Sequence, residues 1–254
     1  MTEKQELENK KERILEVFQE LVLKKGYSKV SVEEITSSLG ISKGSFYSYF
    51  KSKKDMVLEC IEENMGIALE RQKHVDKISN SMKDTLRNYL IERFQRDIRH
   101  IKMELVLINL VKNLEILEDS IVKRFISFEK AYVQYWERQL DKYRDELSIV
   151  EEEKHEYAIL LAKMIQGFRM SVLFVTDDEK FFTTEVAEVL KRIEDKTILQ
   201  KIDFLIKNIM KMLQQIERRR GKNEKAMDII FPAGECCFWK RSYFGRSDSS
   251  VNGE

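Results

Sequence analysis

A long stretch without helix-breaking residues constrains this chain more than any other feature. Between Ile67 and Gln166 the sequence contains neither glycine nor proline. These two residues form most of the tight turns that strands need at short intervals. The stretch therefore predicts helices, separated only by polar segments such as Ser79 to Ser81, and we expect an all-α fold.

Size and composition predict a globular protein without a membrane segment. A chain of 254 residues with 43% hydrophobic content can bury a sizeable core, in one large domain or in a small domain joined to a larger one. No run reaches the roughly 18 to 20 apolar residues of a membrane span. The first residues also lack the pattern of a signal peptide. Three cysteines, Cys60, Cys236 and Cys237, form no disulfide framework, so we expect a cytoplasmic protein.

Positive charge is concentrated in residues 30–55, although the net charge of the chain is only +1. Lys43, Lys51, Lys53 and Lys54 have no acidic neighbour between Ile35 and Lys54. The same segment contains two glycines and many small hydroxyl residues. This composition indicates a local binding surface for a negatively charged partner.

Capping and turn signals in this region predict a helix-turn-helix. A first helix with apolar residues on one face ends near Gly26. Ser31 is a good N-cap, and Glu34 three residues later completes a capping-box pattern for a second, short helix. Gly40 allows a sharp turn, after which Ser42 caps a third helix. In this motif the last helix enters the major groove of DNA.

The residue types of the third helix suit contact with DNA. Ser42, Gly44 and Ser45 are small enough to let the helix N-terminus approach a phosphate. Lys43 can reach a base edge, and Lys53 has the charge for a second phosphate. Taken alone, the pattern also fits a solvated basic face on an ordinary helical hairpin.

The order of residues from Ser31 to Met56 resembles the DNA-binding signature of the tetracycline-repressor (TetR) family of bacterial regulators. The resemblance covers about residues 8–60, and Thr36 and Leu39 depart from it where the family usually has alanine. The matching residues are Ser31, Val32, Ile35, Gly40, Ile41, Ser42, Gly44, Ser45, Phe46, Tyr47, Tyr49 and Phe50.

The resemblance implies a role for each residue of the DNA surface. Bases or nearby backbone are expected to face Lys43, Gly44, Ser45 and Ser48. Phosphates are expected to contact Ser31, Tyr47, Tyr49 and Lys53, in addition to the helix start at Ser42. One of the two tyrosines could instead join Phe46 and Phe50 in the core of the small domain.

We expect three parts in the chain. Residues 1–60 form a helix-turn-helix domain, and residues 61–220 form a larger helical domain for regulation and dimerisation. Residues 221–254 form an irregular tail, which holds the only proline and the adjacent cysteines Cys236 and Cys237. Residues 231–254 of this tail are interpreted as a dispensable extension, with a thiol sensor as the alternative.

A heptad pattern near the end of the second part predicts an interface. Apolar residues there are separated by alternating steps of four and three, as in a coiled-coil seam. The partner of this seam could lie within the chain or in a second copy. The resemblance implies a homodimer in which the last two helices of each subunit form a four-helix interface. The seam residues are Ile198, Ile202, Leu205, Ile209, Met212 and Ile216.

Five aromatic residues along one helical face could line a pocket for a small hydrophobic or amphipathic ligand. They are Phe125, Phe128, Tyr132, Tyr135 and Trp136. The same stripe also fits an ordinary core.

These features predict a sequence-specific transcriptional regulator, a repressor that a ligand releases from its double-stranded DNA operator. The alternative is a DNA-binding dimer whose large domain recognises a protein partner. His74, His100 and His155 lack the spacing of metal ligands, and the sequence contains no phosphate-binding glycine loop or nucleophile motif. We therefore expect no enzymatic activity, cofactor or metal.

Overall fold

A computed structural model describes residues 3–94, 98–111, 118–175 and 185–214. The expected tail, residues 221–254, and Ile216 of the expected seam lie outside these ranges. Ten α-helices occupy most of the described residues, as expected for an all-α fold. They are α1 (Glu3–Lys25), α2 (Val32–Leu39), α3 (Lys43–Tyr47), α4 (Lys53–Ile78), α5 (Met82–Phe94), α6 (Ile98–Val111), α7 (Asp119–Lys142), α8 (Lys154–Leu173), α9 (Val186–Ile193) and α10 (Ile198–Gln214).

The starts of the short helices follow from serine caps. The hydroxyl groups of Ser31 and Ser42 accept hydrogen bonds from the backbone N–H groups of Glu34 and Ser45, at 3.2 and 3.0 Å. Each bond satisfies an N–H group that has no partner within its helix. The capping box is only half formed, because the carboxylate of Glu34 pairs with Lys25 of α1 instead. That ion pair fastens α2 to the end of α1.

Helices α1 to α4 pack around an N-terminal core. Phe18 of α1, Ile35 of α2 and Phe46 of α3 are fully buried there. Thr36, at one of the two positions that depart from the family pattern, is also buried, and its hydroxyl donates to the carbonyl of Glu33 at 2.9 Å. This threonine therefore fits the helix packing without an unpaired hydroxyl.

A second, central core fills the larger part of the molecule. Helix α7 packs along α8, and α5 packs against both α4 and α10. Large aromatic side chains dominate the middle of this core. They include Tyr89 of α5 and Tyr132, Tyr135 and Trp136 of α7.

Helix α6 belongs to both cores. Ile101 and Leu105 pack into the central core, whereas Val106, Leu107 and Leu110 pack into the N-terminal core. Helix α4 also crosses the expected boundary at residue 60 without interruption. The two parts of the chain are thus joined by continuous helix and by shared apolar packing.

Charged contacts add to this connection at its surface. Lys54 at the start of α4 pairs with Glu118 ahead of α7 at 2.8 Å, and Lys102 of α6 pairs with Glu20 of α1 at 3.0 Å. Such exposed pairs contribute at most about 1 kcal/mol each. The shared apolar packing is therefore the stronger link.

None of the described helices is long and apolar enough to cross a lipid bilayer. Within the same residues, no group of three or more histidine, cysteine, aspartate or glutamate side chains has an arrangement suited to a metal ion.

Candidate functional site

The turn between α2 and α3 has the backbone geometry that requires glycine. Gly40 adopts the left-handed conformation, with φ of 65°, and its N–H group closes the end of α2. The N–H of Ile41 donates to the carbonyl of Thr36 at 3.0 Å. Residues with a side chain rarely adopt such a φ, so Gly40 fixes the angle between the two helices.

One side of α3 anchors the helix and the other faces solvent. Phe46 is fully buried and packs against Phe50, with ring centres 6.0 Å apart. Both phenylalanines thus belong to the N-terminal core, as expected. The exposed side presents Ser42, Lys43, Gly44, Tyr47 and Ser48, with Ser45 half-buried beside them. Six of the nine expected DNA-binding residues are therefore brought together on one short surface.

Lys43 is the most accessible charged group on this surface. Its side chain is 58% exposed, and its ammonium nitrogen lies 3.5 Å from the carboxylate of Glu33 on α2. Sequence reasoning did not identify Glu33 as a neighbour of Lys43. An exposed pair of this kind is weak, so a phosphate or a base edge can displace Glu33.

Gly44 has no structural reason to be glycine within the described chain. A Cβ atom placed there would meet only the Ser42 hydroxyl oxygen, at the ordinary contact distance of 3.7 Å. The backbone of Gly44 is helical, a conformation in which alanine is more favourable than glycine. The missing side chain therefore matters for something that approaches the exposed face of α3.

Tyr47 and Tyr49 have different surroundings. Tyr47 is 53% exposed, which leaves its hydroxyl accessible. Tyr49 is half-buried against the N-terminal core, so it is the tyrosine that joins the core in part. Ser31 is exposed, and its hydroxyl oxygen already caps α2.

Lys53 makes contacts within its own chain, which limit the phosphate contact expected of it. Its ammonium group donates to the carbonyl oxygens of Tyr27 and Val30, each at 2.9 Å, and lies 4.1 Å from the centre of the Tyr27 ring. Burial lowers the pKa of Lys53, and the charge of Lys25 lowers it further. Two of its three N–H donors are thus used within the chain, and at most one remains for a phosphate.

The five aromatic residues expected in a pocket do not share one site. Tyr132, Tyr135 and Trp136 are fully buried in the central core. Phe128 is half-buried, and Phe125 packs against the N-terminal core instead. The aromatic stripe spans about three helical turns, so its two ends reach different parts of the molecule.

Tyr89 of α5, which the sequence pattern did not reveal, lies among the three buried aromatic residues of α7. Its ring centre is 5.0 Å from that of Trp136, 5.6 Å from that of Tyr135 and 6.2 Å from that of Tyr132. Burial raises the pKa values of both Tyr89 and Tyr132. Burial and the nearby carboxylate of Asp76 also raise the pKa of Tyr135. All three phenols are therefore neutral near pH 7.

Charged side chains lie directly beside these rings. Arg93 of α5 and Arg169 of α8 both face the carboxylate of Glu104 on α6. Arg93 lies 3.9 Å from that carboxylate, and Arg169 makes a shorter contact with it. Arg71 of α4 lies 5.7 Å from the centre of the Tyr89 ring. A buried arginine within a helix is unusual, and the sequence carries no signal that these residues come together.

The expected dimer seam lies mostly inside the protomer. Ile198, Ile202 and Ile209 are buried in the central core of a single chain, where α10 packs on α5. Leu205 and Met212 are half-buried at the edge of the same core. The heptad pattern thus follows the face of α10 that packs within its own chain, and these three isoleucines have no surface left for a second copy.

A comparison with protein families identifies the N-terminal part. Residues 14–60 match the family model described as bacterial regulatory proteins, tetR family. The N-terminal part of the chain is therefore similar to the tetR family. The match covers α2, α3 and the turn at Gly40, so the family resemblance and the helix-turn-helix geometry concern the same residues.

One curated protein is similar to this chain over a longer stretch. YerO, a helix-turn-helix transcriptional regulator of Bacillus subtilis (strain 168), is 30% identical over 154 residues, which are 57% of this chain and 53% of YerO. The chain thus spans about half the length of this curated relative.

Solved structures share the fold of this chain. The MbdR regulator from Azoarcus sp. CIB superposes with a TM-score of 0.57 at 17% identity, over 78% of this chain and 96% of MbdR. A regulator from Saccharomonospora viridis, crystallised with choline, gives a TM-score of 0.55 at 21% identity, over 75% of this chain and 96% of that protein. At these identities the likeness shows a common fold.

Proposed function

We propose that this chain is a sequence-specific, DNA-binding transcriptional regulator of the TetR family in the cytoplasm, a repressor that a small molecule releases from its operator. One observation carries the proposal. The exposed face of α3 presents Lys43, Gly44, Tyr47 and Ser48 on a helix anchored by Phe46, and Gly44 leaves open space that the fold itself does not use. A helix held in this way can enter a major groove.

The residues around α3 support two roles, in which one residue recognises bases and others bind phosphates or position the helices. Lys43 is long, exposed and only weakly paired, so it can donate to the acceptors of a guanine. The serine hydroxyls and the N–H groups at the start of α3 can hold phosphates. Lys53 stabilises the loop before α2 and thereby positions α2 and α3.

A homodimer would place two such surfaces on successive turns of DNA. The support for a dimer comes from α8, where Leu160, Met164, Gly167 and Ser171 repeat at steps of four, three and four on one face. Leu160 and Met164 are half-buried, and Gly167 and Ser171 are exposed. A Cβ atom at Gly167 would meet no described atom within 4 Å, so a second helix could approach closely there.

The route from ligand to DNA runs through α6 in this proposal. The helix contributes Glu104 to the charged cluster of the central core and Val106, Leu107 and Leu110 to the N-terminal core. A ligand that favours a different position of α6 would therefore change the position of the DNA-binding surface. The chain binds and releases partners in this scheme and catalyses no reaction.

DNA binding by the full chain tests the proposal. We expect the protein to shift a fragment of its own upstream region in a gel, at a concentration at which an equally long random fragment stays free. Affinity should fall steeply with salt, because lysine contacts release counterions from the phosphates. Equal affinity for the two fragments, or no shift of either at low salt, would reject sequence-specific binding.

A further inference from the structure

Glu33 brings a negative charge onto the surface that is proposed to meet DNA. It lies in the first turn of α2, and its side chain is 74% exposed. One of its carboxylate oxygens is 3.5 Å from the ammonium nitrogen of Lys43, the first residue of α3. An approach that brings Lys43 to a base edge therefore brings Glu33 close to the same base pair.

The fold explains this carboxylate only in part. An acidic residue in the first turn of a helix interacts favourably with the helix dipole, but Glu34 lies in the same turn and supplies that interaction. The carboxylate of Glu34 pairs with Lys25 of α1, whereas that of Glu33 faces Lys43. Because phosphates repel an exposed carboxylate, Glu33 gains from DNA only where it meets a hydrogen-bond donor.

The major groove offers such donors on two bases. They are the amino groups of cytosine, at N4, and of adenine, at N6. In a base pair each amino group is hydrogen-bonded to the keto oxygen of the opposite base, so the two atoms lie about 2.9 Å apart. The ammonium of Lys43 and the carboxylate of Glu33, 3.5 Å apart, have a similar spacing. The donor and the acceptor of this ion pair can therefore engage both bases of one pair.

Lys43 alone would distinguish poorly between the two orientations of a G·C pair. A lysine side chain is a flexible stem with a point charge at its end, so its ammonium group can follow the guanine from one strand to the other. Glu33 restricts this freedom. In the inverted pair its carboxylate would face guanine O6, which only accepts hydrogen bonds. A repulsive contact of this kind is a common source of specificity.

We infer that Glu33 is a specificity-determining residue, and that Glu33 and Lys43 together recognise the orientation of one G·C pair in the operator. Lys43 donates to guanine O6 and N7, and Glu33 accepts from the amino group of the paired cytosine. This inference rests on the proposed function, since it names bases that the DNA-binding surface selects.

The order of keto and amino groups also ranks the other base pairs. A T·A pair with thymine in the place of guanine presents a keto oxygen to Lys43 and an amino group to Glu33. Thymine has a methyl group where guanine has its second acceptor, N7. T·A should therefore bind less tightly than G·C, and more tightly than the inverted pairs C·G and A·T.

The alternative is a carboxylate that only weakens the attraction of Lys43 to DNA. Glu33 would then reduce binding to every DNA by a similar factor, because repulsion from phosphates does not depend on sequence. The two roles thus differ in the ratio of two affinities, and not in the affinity for one DNA.

Competition gel shifts with the full chain and its upstream DNA test the inference. Each base pair of the bound site is inverted in turn, and Lys43→Ala identifies the pair that Lys43 contacts, as the position where inversion no longer weakens binding. At this pair the unmodified protein should prefer one orientation of G·C over the other by about tenfold or more. Glu33→Gln should reduce this preference to about threefold or less, because an amide group both donates and accepts. Its affinity for the operator itself should stay nearly the same or rise slightly.

Two controls restrict the effect to this carboxylate and to the amino group that it meets. Glu16→Gln removes the same charge from an exposed position of α1 and should leave the preference unchanged. A DNA with 2-pyrimidinone in place of the cytosine lacks the amino group. This change should weaken the unmodified protein several-fold more than it weakens Glu33→Ala, which has no carboxylate to lose a partner.

Other outcomes would overturn the inference. A full preference for one orientation in Glu33→Gln, or an equal gain on every DNA, would leave Glu33 as a general repulsive charge. The inference also fails if Lys43→Ala reveals no such position, or if an A·T pair binds best there. In all these cases the proposed regulator stands if the unmodified protein still selects its upstream DNA. If it selects no DNA, the proposed function itself fails.

Discussion

Lys53 contacts Tyr27 through two different groups of that residue. Its ammonium nitrogen lies 2.9 Å from the Tyr27 carbonyl oxygen and 4.1 Å from the centre of the Tyr27 ring. The lysine begins α4, and the tyrosine follows the end of α1. A side chain expected to contact DNA thus connects two helices of the N-terminal core.

Lys53→Ala should therefore destabilise the protein by about 1 to 3 kcal/mol, because it removes hydrogen bonds from a charged donor and a cation–π contact. Urea unfolding measures this change. Lys51→Ala is the matched control, since Lys51 is exposed, and it should leave stability unchanged. Equal stability of the two variants would show that the contacts of Lys53 contribute nothing, and its role would then be limited to the DNA.

Lys43→Ala should reduce specificity more than general affinity. The loss of binding free energy on the operator is expected to be about 1 to 3 kcal/mol larger than the loss on random DNA, because the variant lacks a base contact. Glu33→Gln removes the competing carboxylate of Lys43 and should slightly strengthen binding to both DNAs. Competition gel shifts measure both effects, and an equal loss on operator and random DNA would assign Lys43 to a phosphate.

Gly44→Ala should separate folding from DNA binding. The new methyl group has room in the protein, so the free energy of unfolding should stay the same or rise by up to about 1 kcal/mol. Operator affinity should fall, because the methyl group projects from the face that approaches the DNA. Gly40→Ala is the contrast. Its positive φ predicts a loss of about 1 to 2 kcal/mol in stability. A Gly44→Ala protein with full operator affinity would contradict close approach at this residue.

Leu160→Glu combined with Met164→Glu should convert a dimer into a folded monomer, because the two charges lie on the proposed contact face of α8. Sedimentation velocity and circular dichroism together measure assembly and folding. Leu69→Glu, at an exposed apolar residue of α4, should leave the dimer intact. A folded dimer of the double variant would place the interface on another surface.

Ile209→Glu is expected to act differently from the α8 variants. Ile209 is fully buried within one protomer, so a charge there should unfold the chain and not merely separate two copies.

Cys60 should be unreactive in the folded protein. Burial and, to a smaller extent, the carboxylates of Glu63 and Glu59 raise its pKa to about 12, against the opposing hydrogen bond from Gln19. At pH 8 only about one thiol in ten thousand is ionised at that pKa. In a variant with Cys236→Ser and Cys237→Ser, a disulfide reagent should label the protein only after urea unfolds it. Rapid labelling of the native variant would mean that the N-terminal core opens readily.

Local sequence signals predicted the helix-turn-helix geometry well. Each cap or turn depends on residues within a few positions of each other, as at Ser31, Gly40 and Ser42. The contacts of Lys53 could not be predicted in this way, because its two acceptors lie 26 and 23 residues earlier in the chain. Only the folded arrangement brings those carbonyl groups to the start of α4.

The larger domain was predicted less completely for a related reason. The heptad pattern of α10 correctly indicates an apolar face, but periodicity does not reveal what covers that face. The structure shows α5 in that role. The charged cluster of the central core was missed because Arg93, Glu104 and Arg169 belong to three different helices.

Because α6 packs into both cores, it limits which segments of this protein can be exchanged with those of its relatives. A chimera cut at residue 60 would separate the helix-turn-helix from Val106, Leu107, Leu110 and Ile121, which complete its core. A grafted DNA-binding domain would then meet an α6 surface shaped for other side chains. Exchange of DNA specificity between such regulators is therefore expected to succeed by replacing the exposed residues of α3, and to fail when the first 60 residues are exchanged as a block.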